Sequence, residues 1–163
     1  MNQQADLIDK FYEYNLWANT EMLKFCSSLT EEQLQTELAG TPGTIRQTLE
    51  HLVSSEGVYV MHATGSRPWP EDIDWESKSI DELLEMVKLS GSKLLEVASQ
   101  VDPHTRHDRI LDDGPYHFFS WTSLIQAIYH GIEHRTQIKV MLTKIGVEHP
   151  ELASWEFRME QYP

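Results

Sequence analysis

Hydrophobic side chains recur three and four residues apart in four separate stretches of the chain, a spacing that places them on one face of an α-helix. The stretches extend approximately over residues 7–28, 44–64, 79–101 and 120–145. Each is about twenty residues long, and the chain shows no alternation strong enough to predict a large sheet. The pattern therefore predicts an all-α fold, a four-helix bundle.

Several ends of these helices carry recognisable signals. Ser79 and Glu82 have the spacing of a capping box, in which both side chains accept hydrogen bonds from free backbone amides at the start of a helix. Ser120 can cap the last helix, and Gly146 suits the left-handed position that follows a helix end. The tail after Gly146 should fold back onto the bundle through Leu152, Trp155 and Phe157.

The connections between the predicted helices are too long for tight hairpins, which indicates crossover loops. Residues 65–78 contain two prolines and no helical period, so they should form a surface connection. Before the last helix, Asp113-Gly114 suits a turn between two short extended arms, which predicts a small hairpin. Three aromatic side chains of these connections either roof a site or pack the ends of the bundle: Trp69, Trp75 and Tyr116.

The composition fits a single globular domain over residues 1–163, with 40% hydrophobic and 24% charged residues. Acidic residues outnumber basic ones by 26 to 13, and no run of Lys or Arg could neutralise phosphates, so we expect no nucleic-acid or membrane partner. Cys26 is the single cysteine, which excludes an intramolecular disulfide and a cysteine-based zinc site. Without a signal-peptide pattern or a run of about twenty apolar residues, the sequence predicts a cytoplasmic protein.

Two histidines interrupt the apolar face of the last predicted helix. His130 and His134 follow the same three-and-four spacing as the hydrophobic residues around them. Residues four apart lie one helical turn apart on the same face, so both imidazole rings can reach one metal ion. The alternative is that each ring is a hydrogen-bonded core residue.

A stable metal site needs at least a third protein ligand, and spacing alone does not select it among the other six histidines. His51 lies more than about 90° around the second helix from the centre of its apolar face, which places it on the flank of the bundle. A rival cluster would form if the hairpin brought together His104, His107 and His117.

The segment from His130 to His134 also has the form H-x-x-E-H, in which two histidines bind zinc and the glutamate acts as a base. Glu133 projects to the side of the histidine pair. It can serve as a base for a metal-bound water, orient a ligand or face solvent.

The opposite face of the last helix is also apolar, through Trp121, Ile125, Ile128 and Ile132. This surplus must be buried either under the hairpin or against a second subunit. The pattern favours a homodimer.

Three segments of the chain together resemble the DinB/YfiT-like family, and the similarity covers nearly the whole chain. The family's pattern combines an aromatic-x-x-Trp-Ala-Asn segment, a His-Leu pair followed by a glutamate, and H-x-x-x-H-R-x-Q. The matching positions are Tyr14, Trp17, Ala18, Asn19, His51, Leu52, Glu56, His130, His134, Arg135 and Gln137. The resemblance implies a bundle with up-down-down-up order and a divalent metal site in which His51 joins His130 and His134.

Three neutral imidazoles would leave a divalent ion, zinc or nickel, with an open coordination position, as in catalytic metal sites. One hypothesis is hydrolysis of a small-molecule substrate by metal-bound water, with Glu133 as the base. The resemblance also suggests S-transfer with a low-molecular-weight thiol such as mycothiol or bacillithiol as co-substrate. A third hypothesis is a non-catalytic dimeric bundle that the metal stabilises.

Overall fold

Helices form most of the computed structural model, which describes residues 3–111 and 114–162. Four long helices correspond to the four predicted stretches, and two short helices and one hairpin lie between or after them. In chain order the elements are α1 (Gln3–Cys26), α2 (Glu31–Leu34), α3 (Ile45–Thr64), α4 (Ile80–Ala98), β1 (Arg106–Leu111), β2 (Gly114–Phe119), α5 (Ser120–Lys144) and α6 (Ser154–Gln161). The all-α fold is confirmed.

The four long helices enclose two clusters of buried hydrophobic residues. Helix α1 packs against α4 and α5, and α3 packs against α4 and α5. The hydroxyl of Tyr12 on α1 donates to the carbonyl of Leu124 on α5. Further along both helices, Arg135 of α5 donates to Asn19 of α1, so the two helices have the same direction. Helices α3 and α5 have opposite directions, as the contacts of the site below show. Both relations agree with the up-down-down-up order, which as a whole stays a prediction.

Capping boxes start three of the helices. The predicted one is confirmed at α4, where Ser79 and Glu82 accept hydrogen bonds from each other's backbone amides. Thr44 and Gln47 form the same motif at α3. The prediction for Ser120 is wrong: Phe119 occupies the cap position without a side-chain bond, because β2 continues directly into α5. The Ser120 hydroxyl instead lies 2.8 Å from Nε2 of His107.

The predicted hairpin precedes α5. Its strands are antiparallel, and the register pairs His107 with Phe118 and Asp108 with His117. The predicted turn residue Asp113 lies outside the described residues, whereas Gly114 has the positive φ of 116° that favours glycine. The strand β2 contacts α5, so the hairpin lies over the beginning of that helix.

The two tryptophans of the loop between α3 and α4 pack the bundle and do not roof a site. Trp69 is buried, and its ring occupies the space where a Cβ on Gly57 of α3 would lie. Trp75 makes an edge contact with Trp69, with ring centroids 5.8 Å apart. Hydrophobic burial therefore explains both residues.

The tail returns to the bundle as α6, which the hydrophobic pattern did not predict as a helix. Leu152 and Phe157 are buried as expected, and Phe157 packs against Tyr14 and Trp17 of α1. The prediction that Trp155 packs against the bundle is wrong, because Trp155 lies on the outer face of α6 and is exposed.

The second apolar face of α5 is not covered by the hairpin. Trp121, Ile125 and Ile132 are exposed, and only Ile128 packs partly into a hydrophobic cluster with Leu124 and Ala127.

Of the helices described here, none combines the length and the apolar character needed to cross a membrane.

Candidate metal centre

Three histidines from two antiparallel helices meet at one edge of the bundle. His130 and His134 lie one turn apart on the buried face of α5, and His51 approaches them from α3. The ring of His51 lies 5.0 Å from that of His130 and 4.9 Å from that of His134, between centroids. The three residues can each offer a nitrogen within 4.8 Å of the others. They are thus positioned to bind a metal ion.

The converging atoms are the Nε2 nitrogens. Nε2 of His130 lies 3.2 Å from Nε2 of His51 and 2.9 Å from Nε2 of His134. Two nitrogens bound to zinc at about 2.0–2.1 Å and at a tetrahedral angle lie roughly 3.3 Å apart. The observed spacings are close to this value, so a small divalent ion fits with little movement of the rings.

Hydrogen bonding among the histidines cannot account for this arrangement. A ring nitrogen carries either one hydrogen or one lone pair, both in the plane of the ring. Nε2 of His130 therefore cannot make good hydrogen bonds to both His51 and His134 at once. A cation shared by three lone pairs satisfies all three nitrogens, which favours a metal site over three hydrogen-bonded core histidines.

Gln137 fixes the state of one of these rings. Its Oε1 atom lies 2.6 Å from Nδ1 of His134. An amide oxygen accepts hydrogen bonds, so Nδ1 of His134 carries the hydrogen and Nε2 has a free lone pair. Gln137 lies one turn beyond His134 on α5 and orients it toward the shared centre.

Burial favours the uncharged form of two of the three rings, those of His130 and His51. It lowers the pKa of His130 to about 4, with further lowering by His134 and His51. Burial also lowers the pKa of His51, and His134 adds to the effect. Neutral imidazole is the form that binds metal, so burial weakens the competition from protons at these two ligands.

His51 shows why periodicity left the third ligand open. His130 and His134 are buried, with 9% and 5% of their surface exposed, but His51 is exposed on the flank of α3, where its period places it. The site lies at the edge between α3 and α5, not on the bundle axis. A ligand on the flank is therefore required, and the centre is open to solvent.

The rival histidines do not form a second centre. Within residues 3–111 and 114–162, the three histidines above are the group of side chains arranged for a metal. His107 stacks on Phe118 and contacts Ser120, whereas His104 and His117 are exposed. Glu133 is exposed next to His134 and does not belong to the three-histidine group.

A buried polar network lies directly behind the metal centre. Arg135, the neighbour of His134, donates through Nη1 to Oδ1 of Asn15, at 3.0 Å, and to Oδ1 of Asn19. The amides of Asn15 and Asn19 donate to Oε1 of Glu56 at 3.2 and 3.1 Å. Ser90 on α4 donates to the other oxygen of Glu56. The network therefore connects all four long helices.

Gly131 gives this network its space. A Cβ at this position would lie 2.6 Å from Oδ1 of Asn15 and 2.8 Å from Nη1 of Arg135, both too close. Sequence reasoning placed Asn19, Glu56 and Arg135 in a family pattern but gave them no role, and it did not single out Asn15 or Ser90. The available signal was a set of polar residues at positions where the helical period predicts burial.

Comparison with known proteins adds family membership to this geometry. No match was found among curated proteins. A family model described as the DinB family matches residues 1–161, which include the three histidines and every member of the buried network. The chain therefore belongs to the DinB family.

Proposed function

We propose that this protein is a metal-dependent enzyme that hydrolyses a small-molecule substrate at its three-histidine centre. The observation that carries the proposal is the convergence of three Nε2 atoms at a solvent-exposed edge. A structural metal site is normally closed by four protein ligands, whereas three leave a position for water or substrate. Zinc and nickel both suit the nitrogen ligands.

His51, His130 and His134 would hold a divalent ion, which would supply Lewis-acid chemistry by lowering the pKa of a water to about 7 or that of a thiol. The chain's own residues prepare the centre for this chemistry: Gln137 presents the lone pair of His134, and burial keeps His130 neutral. Glu133 is our candidate for the base that accepts a proton, because its carboxylate is exposed beside His134.

A second candidate function is S-transfer with a low-molecular-weight thiol of the mycothiol or bacillithiol type. The observation in its favour is that Glu133 lies outside the three-histidine group, since a thiol activated by the ion needs no permanent base. The thiol would come from solution, because Cys26 is buried in α1 and burial raises its pKa to about 12.

We also propose that two copies associate through the uncovered face of α5. Ile125, with 61% of its surface exposed, lies at the centre of this face beside Trp121, and the neighbouring part of α1 adds Ile8 and Phe11. The chain carries a net charge of −13, so two copies repel each other least where the surface is apolar. Sedimentation should show a dimer that Ile125→Glu dissociates and that Leu89→Glu, at an exposed apolar position on α4, leaves intact.

Metal analysis of protein made without a histidine tag tests the centre. Wild type should contain close to one ion per chain, and His51→Ala should lose most of it at little cost in folding, because His51 is exposed. His104→Ala, another exposed histidine variant, is the matched control. Equal metal content in all three proteins would exclude the site.

Substrate panels then separate the functions. The metal-loaded protein is assayed with esters and amides, and separately with a bacillithiol-type thiol and an electrophile. Turnover lost in His51→Ala identifies a hydrolase or a transferase. No turnover, together with a melting temperature that rises with metal, would instead indicate a non-catalytic bundle that the metal stabilises.

A further inference from the structure

Side-chain contacts between α3 and α5 continue beyond the three histidines toward the hairpin. Because the helices are antiparallel, residues further along α3 face residues earlier in α5. Tyr59 follows His51 by two turns and makes an edge contact with His130, with ring centroids 5.6 Å apart. One turn further, Nδ1 of His62 lies 2.9 Å from Oγ of Ser123. These contacts thus extend from the metal centre to the part of α5 that lies beside β2.

A cavity of about 360 Å³ lies between α3, the beginning of α5 and β2. Pockets for small ligands have volumes of about 300–1,000 Å³, so the space suits one small molecule or part of one. Tyr59 belongs to the wall of the cavity and also contacts His130, so a molecule in the cavity lies one ring away from the metal ligands.

The wall of the cavity is largely aromatic. Tyr59 forms one side, and Tyr116 and Phe118 of the hairpin form the roof. Phe118 is held in place by ring contacts with His62 at 4.5 Å and His107 at 5.1 Å. This wall is therefore preformed, and it suits a flat apolar group.

The floor of the cavity is polar but carries no carboxylate, ammonium or guanidinium group. Thr122, Ser123 and Gln126 of α5 line it, together with His62 of α3. Ser123 is occupied by its contact with His62. None of the lining residues carries a permanent charge, so a phosphate or carboxylate would find no fixed cation here and the cavity favours a neutral group.

From these features we infer that the cavity binds an uncharged aryl group of the substrate, while a polar group of the same molecule reaches the metal centre. The inference rests on the proposed function and specifies its substrate class: a neutral aryl group joined by a short linker to the reacting group. The hairpin is then the element that determines specificity.

Hydroxamates test the cavity and the metal centre separately, because the hydroxamate group chelates a divalent ion and its substituent samples the space nearby. The dissociation constants of acetohydroxamate and 3-phenylpropanohydroxamate are measured by calorimetry on zinc-loaded protein. We expect the phenyl compound to bind about tenfold more tightly or better.

Two threonine variants on α5 are the matched pair. Thr122→Trp fills the cavity and should abolish the gain from the phenyl group without changing the affinity for acetohydroxamate. Thr143→Trp adds the same side chain at an exposed position of the same helix and should change neither affinity. Tyr116→Ala, at a half-exposed position of the roof, should reduce the phenyl gain without affecting the core.

A metal-free measurement keeps the two proposals distinguishable. Benzyl alcohol should shift the backbone amide resonances of residues 116–126 in protein stripped of metal. If it does so while acetohydroxamate fails to bind the zinc-treated protein, the cavity stands and the metal function fails. The cavity proposal is overturned if acetohydroxamate binds, the phenyl group adds no affinity and benzyl alcohol leaves the resonances of residues 116–126 unchanged. Shifts confined to residues near Ile8 and Phe11 count as the same negative result.

Discussion

Oε1 of Gln137 lies 2.6 Å from Nδ1 of His134, one helical turn away on α5. This bond selects the ring form whose Nε2 is free for a metal. Gln137→Met keeps the length of the side chain but removes the acceptor. We expect zinc affinity to fall by about 10–100-fold, measured by competition with a chelating dye.

Two further variants control this prediction. Gln137→Glu retains an acceptor and should keep wild-type affinity or exceed it, whereas Gln100→Met, at an exposed position after α4, should leave affinity unchanged. Wild-type affinity in Gln137→Met would show that packing alone orients His134.

Glu56 should make stability depend on pH. Burial raises its pKa from 4.5 to about 7, against the lowering effect of Ser90, Arg135 and the two asparagines. The folded protein therefore binds the proton of Glu56 more tightly than the unfolded chain does. The stability that this proton contributes is complete below about pH 4.5 and is lost as the pH rises through about 7. The free energy of unfolding should fall by something on the order of 3 kcal/mol across this range.

Glu56→Gln isolates that contribution. The glutamine is uncharged, and its oxygen can still accept from Asn15 and Asn19. Urea titrations of both proteins between pH 5 and pH 8 should differ in slope against pH, with the variant less dependent on pH. Parallel pH profiles would mean that Glu56 keeps an ordinary pKa.

Gly131→Ala should destabilise the protein even though alanine favours helices. The new Cβ would displace Asn15 or Arg135 and break their hydrogen bond, at a cost of about 1–3 kcal/mol in unfolding free energy. In an Asn15→Ala background the same substitution should cost less, because one clashing atom is gone. Additive effects of the two substitutions would contradict the close approach.

Cys26 should be unreactive in the folded protein. It is fully buried, and burial raises its pKa to about 12, so almost no thiolate exists at pH 8. A thiol reagent such as Ellman's should label it only in denaturant. Rapid labelling of the native protein would overturn this prediction and would make an internal thiol available to the S-transfer hypothesis.

The sequence was informative where a signal is local. Helical spacing predicted the four long helices, and the four-residue interval predicted that His130 and His134 act together. The interval cannot report how two helices are aligned with each other, which decides whether His51 reaches them. That alignment depends on core packing and crossover loops, so only the family resemblance selected His51.

Contacts between distant segments explain the remaining differences. Serine is a residue type that often caps helices, but the hairpin register places His107 beside Ser120, and the Ser120 hydroxyl contacts that ring instead. The network around Glu56 combines residues of four helices, and the period of one helix cannot show that they contact each other. Helix α2 was not predicted because its four residues are too few to display a period.

Adjacent residues of α5 attach it to different neighbours, since His134 faces α3 and Arg135 is held by Asn15 and Asn19 of α1. The attachment through Arg135 does not depend on an ion. The histidine geometry should thus already exist before loading, so that uptake of metal is a rapid exchange with the medium and not an event of chain folding. An ion acquired in this way can be replaced during purification, and the metal found in a preparation would then depend on the metals present in the buffers used.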